Sequence, residues 1–260
     1  MIRVGVFGAG GRMGSTVCQA VLDDPGLELA AAVDPFHAGL DLRQVIGIDV
    51  PLQMSADAEA LLAARVAVAV DFTGLGPARQ NLEWLAANGI HAVVGTSGFT
   101  TDDLDHLAAI FTTSNCIIAP NFAIGAVLMM RFAELAAPYF ETAEIIELHH
   151  DQKIDAPSGT ALVTAERMAA ASSDWAPDPT TTGEPAARGA GRASGIPVHS
   201  VRLRGVVAHQ EVLLGTTGQT LTIRHDSYDR SSFMPGVVLA VKRIGSTPGV
   251  ILGLDALLDL

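Results

Sequence analysis

The run 2-IRVGVFGAGGRMG-14 decides the fold. An apolar stretch from Ile2 to Phe7 ends in glycines at 8, 10, 11 and 14, and an Ala/Val-rich segment follows directly. Strand, tight turn and helix is the simplest reading of that order. Gly8, Gly11 and Gly14 make a GxxGxxG spacing; a strict GxGxxG fails because Met13 stands three after Gly10. Glycines at such a junction let the backbone approach a pyrophosphate, whose charge then meets the unpaired N–H groups of the helix start.

The next apolar run, 27-LELAAAVDPF-36, ends in Asp34, about 20 residues beyond the loop, where an acid commonly binds the adenosine ribose 2′-hydroxyl. Loop, helix and acid in this order point to a dinucleotide site formed by Gly8, Ala9, Gly10, Gly11, Arg12, Met13 and Asp34. Asp34 favours NADH, and Pro35-Phe36-His37 offers no arginine for a 2′-phosphate, although Arg12 could supply that charge. Use of both NADH and NADPH, with NADH preferred, is the expectation.

Strands are expected at about 2–7, 28–33, 66–71, 91–94 and 116–119, with helices near 12–23, 55–63, 77–88 and 101–111. Such alternation predicts a parallel sheet with helices on both faces. Two further loops, 71-DFTGLG-76 and 95-GTSGF-99, follow the third and fourth strands, and 119-APNF-122 ends the fifth. Ligands of open α/β sheets bind beyond the carboxyl ends of strands, so Thr73, Gly95, Thr96 and Ser97 are expected near the ribose and nicotinamide, with Ala119 to Phe122 at a domain junction.

After Asn121 the pattern changes to a helix at 124–137, strand-like runs at 143–149, 198–204, 206–214 and 219–225, and one helix, 158–171, among them. That is the order of an α+β domain with a more open sheet. The segment 176–195, rich in Pro, Gly, Thr and Ala, reads as a long loop: a surface insertion first, a lid or oligomer arm second. The helical run 232-SFMPGVVLAVKRI-244 suits the first sheet, so the chain is expected to leave the nucleotide domain near 122 and return near 231.

Composition narrows the function. With 49% hydrophobic and 17% charged residues the chain is an ordinary globular one, and its net charge of −12 argues against nucleic-acid binding. The N-terminus has no signal-peptide pattern and no apolar run is long enough for a membrane helix, so a cytoplasmic protein is expected. Cys18 and Cys116 lie in apolar contexts without metal or CxxC spacing and read as buried thiols.

Against that background 147-ELHHDQKIDAPSGTA-161 stands out. His149 and His150 end a strand-like run and would face opposite sides of a continuing strand, which argues against one metal chelate. Ser158-Gly159-Thr160 opens a helix; the turn can cap that helix or, through its N–H groups, bind a carboxylate. With Lys153 and a histidine it forms the local positive cluster an acidic protein needs for a small dianion. Reduction by a nicotinamide also requires a proton source, and histidine and lysine suit that task. Asp155 either orients Lys153 or simply pairs with it.

These runs, with VDFT, GTSGF, APNFAIG and 224-RHDSYDRSSFMPGVVLAV-241, resemble the 4-hydroxy-tetrahydrodipicolinate (dihydrodipicolinate) reductase family over nearly the whole chain. The resemblance implies a Rossmann-type dinucleotide-binding domain, 1–122 with 231–260, and an α+β substrate-binding and tetramerisation domain, 123–230, with an open mixed sheet. It implies His149 as proton donor/acceptor, Lys153 as proton donor, and His150, Gly159 and Thr160, with the Ser158 turn, on the carboxylates of a small dicarboxylate substrate. For the cofactor it implies Gly8 to Met13, Asp34, Gly95 to Ser97, and Ala119, Pro120, Asn121 and Phe122. Pro35 stands where many members carry arginine, and 205-GVVAHQEV-212 departs from the family's usual loop.

Overall fold

The computed structural model describes residues 1–184, 187–190 and 194–258. It divides into two units, Met1–Phe122 with Arg230–Leu260, and Ala123–Asp229.

The first unit is built on a seven-stranded parallel sheet. Its strands are β1 (Ile2–Phe7), β2 (Leu27–Val33), β3 (Met54–Ser55), β4 (Val68–Asp71), β5 (His91–Val94), β6 (Cys116–Ile118) and β11 (Val250–Leu252), in the order β11-β6-β5-β4-β1-β2-β3. Parallel strands covered on both faces need continuous apolar side chains, and β4 and β6 are buried at every position. The helices include α1 (Arg12–Asp23), α2 (Leu42–Ile46), α3 (Glu59–Ala63), α4 (Leu75–Ala87), α5 (Thr101–Ile110) and α8 (Met234–Arg243). The α/β expectation holds, and the C-terminal segment joins this sheet: α8 packs on α1 while β11 pairs with β6.

The chain runs outward from β1 to β2 and β3 on one side and, on the other, to β4, β5, β6 and β11. The order reverses between β1 and β4, the switch point at whose carboxyl ends open sheets of this kind bind their ligands. Sequence periodicity did not reveal β3, β11 or α2, which have two, three and five residues, too few for a pattern to repeat. Both cysteines are free and buried, and burial pushes the Cys18 thiol up to about 12, leaving it protonated and inert.

The second unit carries a four-stranded mixed sheet, β10-β9-β7-β8, made of β7 (Thr142–His149), β8 (Val198–Arg202), β9 (Ala208–Thr216) and β10 (Gln219–Ser227). Only β7 and β8 run parallel. Helices α6 (Ile124–Ala136) and α7 (Gly159–Ala171) pack on each other, α6 reaching β10 and α7 reaching β7. Alternation along β7 sends Ala143, Ile145 and Glu147 to the buried side and leaves Glu144, Ile146 and Leu148 half-buried on the other. In the 176–195 segment, residues 185, 186 and 191–193 lie outside the described residues; of the rest, Arg188 pairs with Glu144 of β7 and lies 3.6 Å from Asp178.

Candidate active site

In the first unit the glycine loop closes on itself and on its neighbours. Gly8 has a φ of +67°, open to glycine at little cost, and its N–H donates to the Val33 carbonyl at 2.8 Å. A Cβ on Gly14 would lie 2.0 Å from the Gly8 carbonyl oxygen, so helix and loop touch backbone to backbone. The N-cap of α1 is Gly11, with no side-chain cap and no acid in the first turn. A helix start of this kind leaves its first N–H groups without side-chain caps, the arrangement that suits a phosphate, and the loop fits a dinucleotide.

Around the loop stand the other expected residues. The Gly10 N–H donates to Asp34 Oδ2 at 2.9 Å, and Asp34 Oδ1 accepts from the Phe36 N–H at 3.1 Å. His37 Nδ1 lies 3.2 Å from Asp34 Oδ1 and occupies the space a side chain at position 10 would need. Across the strand switch, the methyl of Thr73 would be 3.1 Å from a Cβ on Gly8, so the first and third loops adjoin. A Cβ on Gly95 would fall inside the Phe72 ring, which packs on Phe122 at a centroid distance of 5.7 Å. The Ala119 N–H donates to the Val94 carbonyl at 3.0 Å. Ala9 and Thr96 are buried, Met13 and Asn121 half-buried, and Gly11, Arg12, Ser97 and Pro120 exposed.

One organiser of these loops was not singled out in the sequence. Asp71, fully buried at the end of β4, accepts from the Thr73 N–H at 2.8 Å, the Thr73 hydroxyl at 2.7 Å, Asn81 at 2.7 Å and the Thr96 hydroxyl at 3.4 Å. A carboxylate ending an apolar strand was the available signal.

In the second unit β7 ends at His149, and His150 lies exposed in the loop beyond. The half-buried His149 ring puts Nδ1 2.5 Å from Glu147 Oε2. Glu147 has no exposed side-chain surface. It accepts from Arg202 Nη1 and Nη2, each at 2.9 Å, and from the Ser158 N–H at 3.2 Å. Burial pushes this carboxyl up, but hydrogen bonds from His149, Arg202 and Ser200 outweigh it and hold the group at about 2. Glu147 is therefore ionised at any working pH and can only accept, so His149 Nδ1 is the donor of this hydrogen bond.

The rest of the polar run is arranged from the same centre. Lys153 Nζ donates to both Asp155 oxygens, at 2.7 and 2.8 Å, and Arg202 Nη2 donates to the Asp155 carbonyl at 2.6 Å. The Lys153 hydrogen bond lowers the Asp155 carboxyl below its usual value. Ser158, buried, is the N-cap of α7, its hydroxyl accepting from the Ala161 N–H at 3.3 Å. With its own N–H also given to Glu147, Ser158 has a holding task within the turn. A Cβ on Gly159 would meet nothing within 4 Å, so the helix start is open on that side. Neither Glu147 nor Arg202 was singled out in the sequence; Glu147 was detectable as a charge on the buried side of β7's alternation.

The sequence profile described as dihydrodipicolinate reductase, N-terminus, matches residues 2–122, and that described as dihydrodipicolinate reductase, C-terminus, matches 125–258. The chain belongs to the dihydrodipicolinate reductase family. A 4-hydroxy-tetrahydrodipicolinate reductase of Mycobacterium sp. (strain KMS) is 50% identical, and one of Corynebacterium urealyticum 47%, each over the whole of both chains. The solved structure of a dipicolinate-bound dihydrodipicolinate reductase from Paenisporosarcina sp. TG-14 is 40% identical, with a TM-score of 0.86, covering 98% of this chain and 99% of that one. Among the described residues, no helix is long and apolar enough to cross a membrane.

Proposed function

We propose that this chain is an NAD(P)H-dependent 4-hydroxy-tetrahydrodipicolinate reductase. It converts (2S,4S)-4-hydroxy-2,3,4,5-tetrahydrodipicolinate to (S)-2,3,4,5-tetrahydrodipicolinate in lysine synthesis through diaminopimelate, taking up one hydride and one proton and releasing one water. The observation that carries this reading is the similarity to relatives of that name over the full length of both chains. The reduced nicotinamide, when bound, supplies the hydride.

The chain's own residues bind, orient and move the proton. His149, its Nδ1 hydrogen committed to Glu147, presents Nε2 as the nitrogen that gives or takes a proton. Lys153 is the second proton donor, and Asp155 holds its ammonium in place. His150 and the Gly159 and Thr160 end of α7 bind the substrate carboxylates at a helix start. Gly8 to Met13, Thr73, Gly95 to Ser97 and Ala119 to Phe122 bind the dinucleotide, and Asp34 binds the adenosine ribose.

NADH is the preferred cofactor in this reading. The Asp34 carboxylate beside a 2′-phosphate is a like-charge contact, with the exposed Arg12 as the cation in the loop that would soften it. Steady-state assays with enzymatically generated substrate are expected to give an NADH kcat/KM about tenfold above that of NADPH, a difference of about 1.4 kcal/mol. Turnover of neither cofactor on this substrate would sink the assigned reaction; an NADPH preference would sink only the role of Asp34.

The second unit is proposed to build a homotetramer. Support comes from the half-buried side of its sheet, where Ile146, Leu148, Val201 and Leu213 are apolar and suited to pairing with another copy. Sedimentation equilibrium is expected to return about four times the 27.0 kDa chain mass. A monomer at micromolar concentration would exclude the assembly.

A further inference from the structure

The Glu147–Arg202 pair adjoins the proposed site and has been given no role in it so far. Glu147 is fully buried, and its two oxygens meet three partners: the His149 ring, the Arg202 guanidinium and the Ser158 N–H at the head of α7. Arg202 extends the connection further, because Nη2 also holds the Asp155 carbonyl in the loop that carries Lys153. A buried carboxylate is costly to keep ionised unless paired and hydrogen-bonded, and this one is paired on every side with groups that belong to the proposed chemistry.

We infer that Glu147 and Arg202 are positioning residues that set the protonation of His149 and hold its ring in register with the Lys153 loop and the substrate-binding turn. This rests on the proposed role of His149. Two opposing charges act on that ring. The Glu147 carboxylate favours the imidazolium, and Arg202, sharing the same carboxylate, limits how strongly. In the register of β7 and β8, His149 stands opposite Arg202, so the guanidinium and the ring lie on the same face of the sheet. Other charged groups nearby are already engaged. On β9, Ala208 stands opposite His149, and His209 beside it is paired with Asp226. In the loop, Lys153 is closed on Asp155 and Asp151 on Arg204. The Glu147–Arg202 pair is thus the charge balance that the ring feels most directly.

The two residues should therefore move the pH profile in opposite directions. In Glu147→Gln the anion is gone and Arg202 remains, so the imidazolium is less favoured. The limb on which kcat falls as pH rises is expected to move down by about one unit or more. At pH 7, kcat should drop by about 10- to 100-fold, with the substrate KM changed less than about threefold. In Arg202→Gln the limb is expected to move up, and the substrate KM to rise because the Lys153 loop loses its anchor.

Nicotinamide binding to the first unit and the thermal midpoint report whether each variant is folded. Should Arg202→Gln, with its uncompensated buried carboxylate, fail to fold, the double variant Glu147→Gln/Arg202→Gln replaces it. Its neutral pair is expected to bring the limb back up from its position in Glu147→Gln. Limbs that stay at the wild-type position, or that move together, in folded variants would overturn the inference. An active His149→Ala would instead overturn the role of His149 on which it rests.

Discussion

His149→Ala is expected to lower kcat by about 10²- to 10⁴-fold, the range for losing a general acid or base, while NADH binding stays within about twofold. The two readouts separate because the histidine belongs to the second unit and the glycine loop to the first. The variant should also fold. Glu147 loses one hydrogen bond but keeps both Arg202 contacts and the Ser158 N–H, so its buried charge is still compensated. Lys153→Ala should produce a loss of similar size with a smaller effect on stability. Its ion pair with Asp155 is half-exposed at the acid, and such pairs are worth about 0–1 kcal/mol. Stopped-flow single turnover with preformed substrate, alongside fluorescence titration with NADH, measures both quantities. Near-wild-type turnover in both variants would remove these residues from the proton steps.

Gly14→Ala is expected to weaken NADH binding by at least about tenfold and to lower stability by about 1–3 kcal/mol. The added Cβ would lie 2.0 Å from the Gly8 carbonyl oxygen, 2.7 Å from its carbon and 2.9 Å from the Ala9 Cα. All three are backbone atoms, so no rotamer change can relieve the overlap, and the loop must move away from the helix start. Displacing it removes the closely packed N–H groups on which a pyrophosphate would rest. Gly76→Ala is the matched control: a Cβ there meets nothing within 4 Å inside α4, where alanine is the better helix former. Calorimetric titration with NADH and a thermal scan of both variants test the claim. A Gly14→Ala protein that binds NADH like the wild type would show that the loop does not hold the cofactor.

Much of this architecture was legible because it is local. A strand apolar except for Arg3, a glycine-rich turn and a helix behind it occupy consecutive residues, and the 2–14 run states all three. The strand-helix alternation through residue 119 was legible for the same reason, since the β4, β5 and β6 strands are short apolar runs between clear helices. The two-residue β3 and three-residue β11 were not, because each owes its strand character to a neighbour, Ala32–Val33 for one and Cys116–Ile118 for the other.

The site divides along the same line. The residue types needed for proton transfer and carboxylate binding, His149, Lys153, His150 and the Ser158–Thr160 turn, stand within a few residues of one another and were read directly. What each one touches was not. Arg202 lies 55 residues from Glu147 and reaches it only through the parallel pairing of β7 with β8. Ser158, for which the sequence allowed a helix cap or a carboxylate contact, forms the cap of α7, and that its N–H goes to the same buried acid could not be read from the run.

The sequence by itself determined a glycine loop between a strand and a helix and a compact His/Lys run, the two features on which the proposed chemistry rests, because both are written in contiguous residues. Only the tertiary structure decided which nitrogen of His149 is committed and what keeps Glu147 ionised. Those depend on strand register, and register is set by contacts between distant segments rather than by the residues within either one.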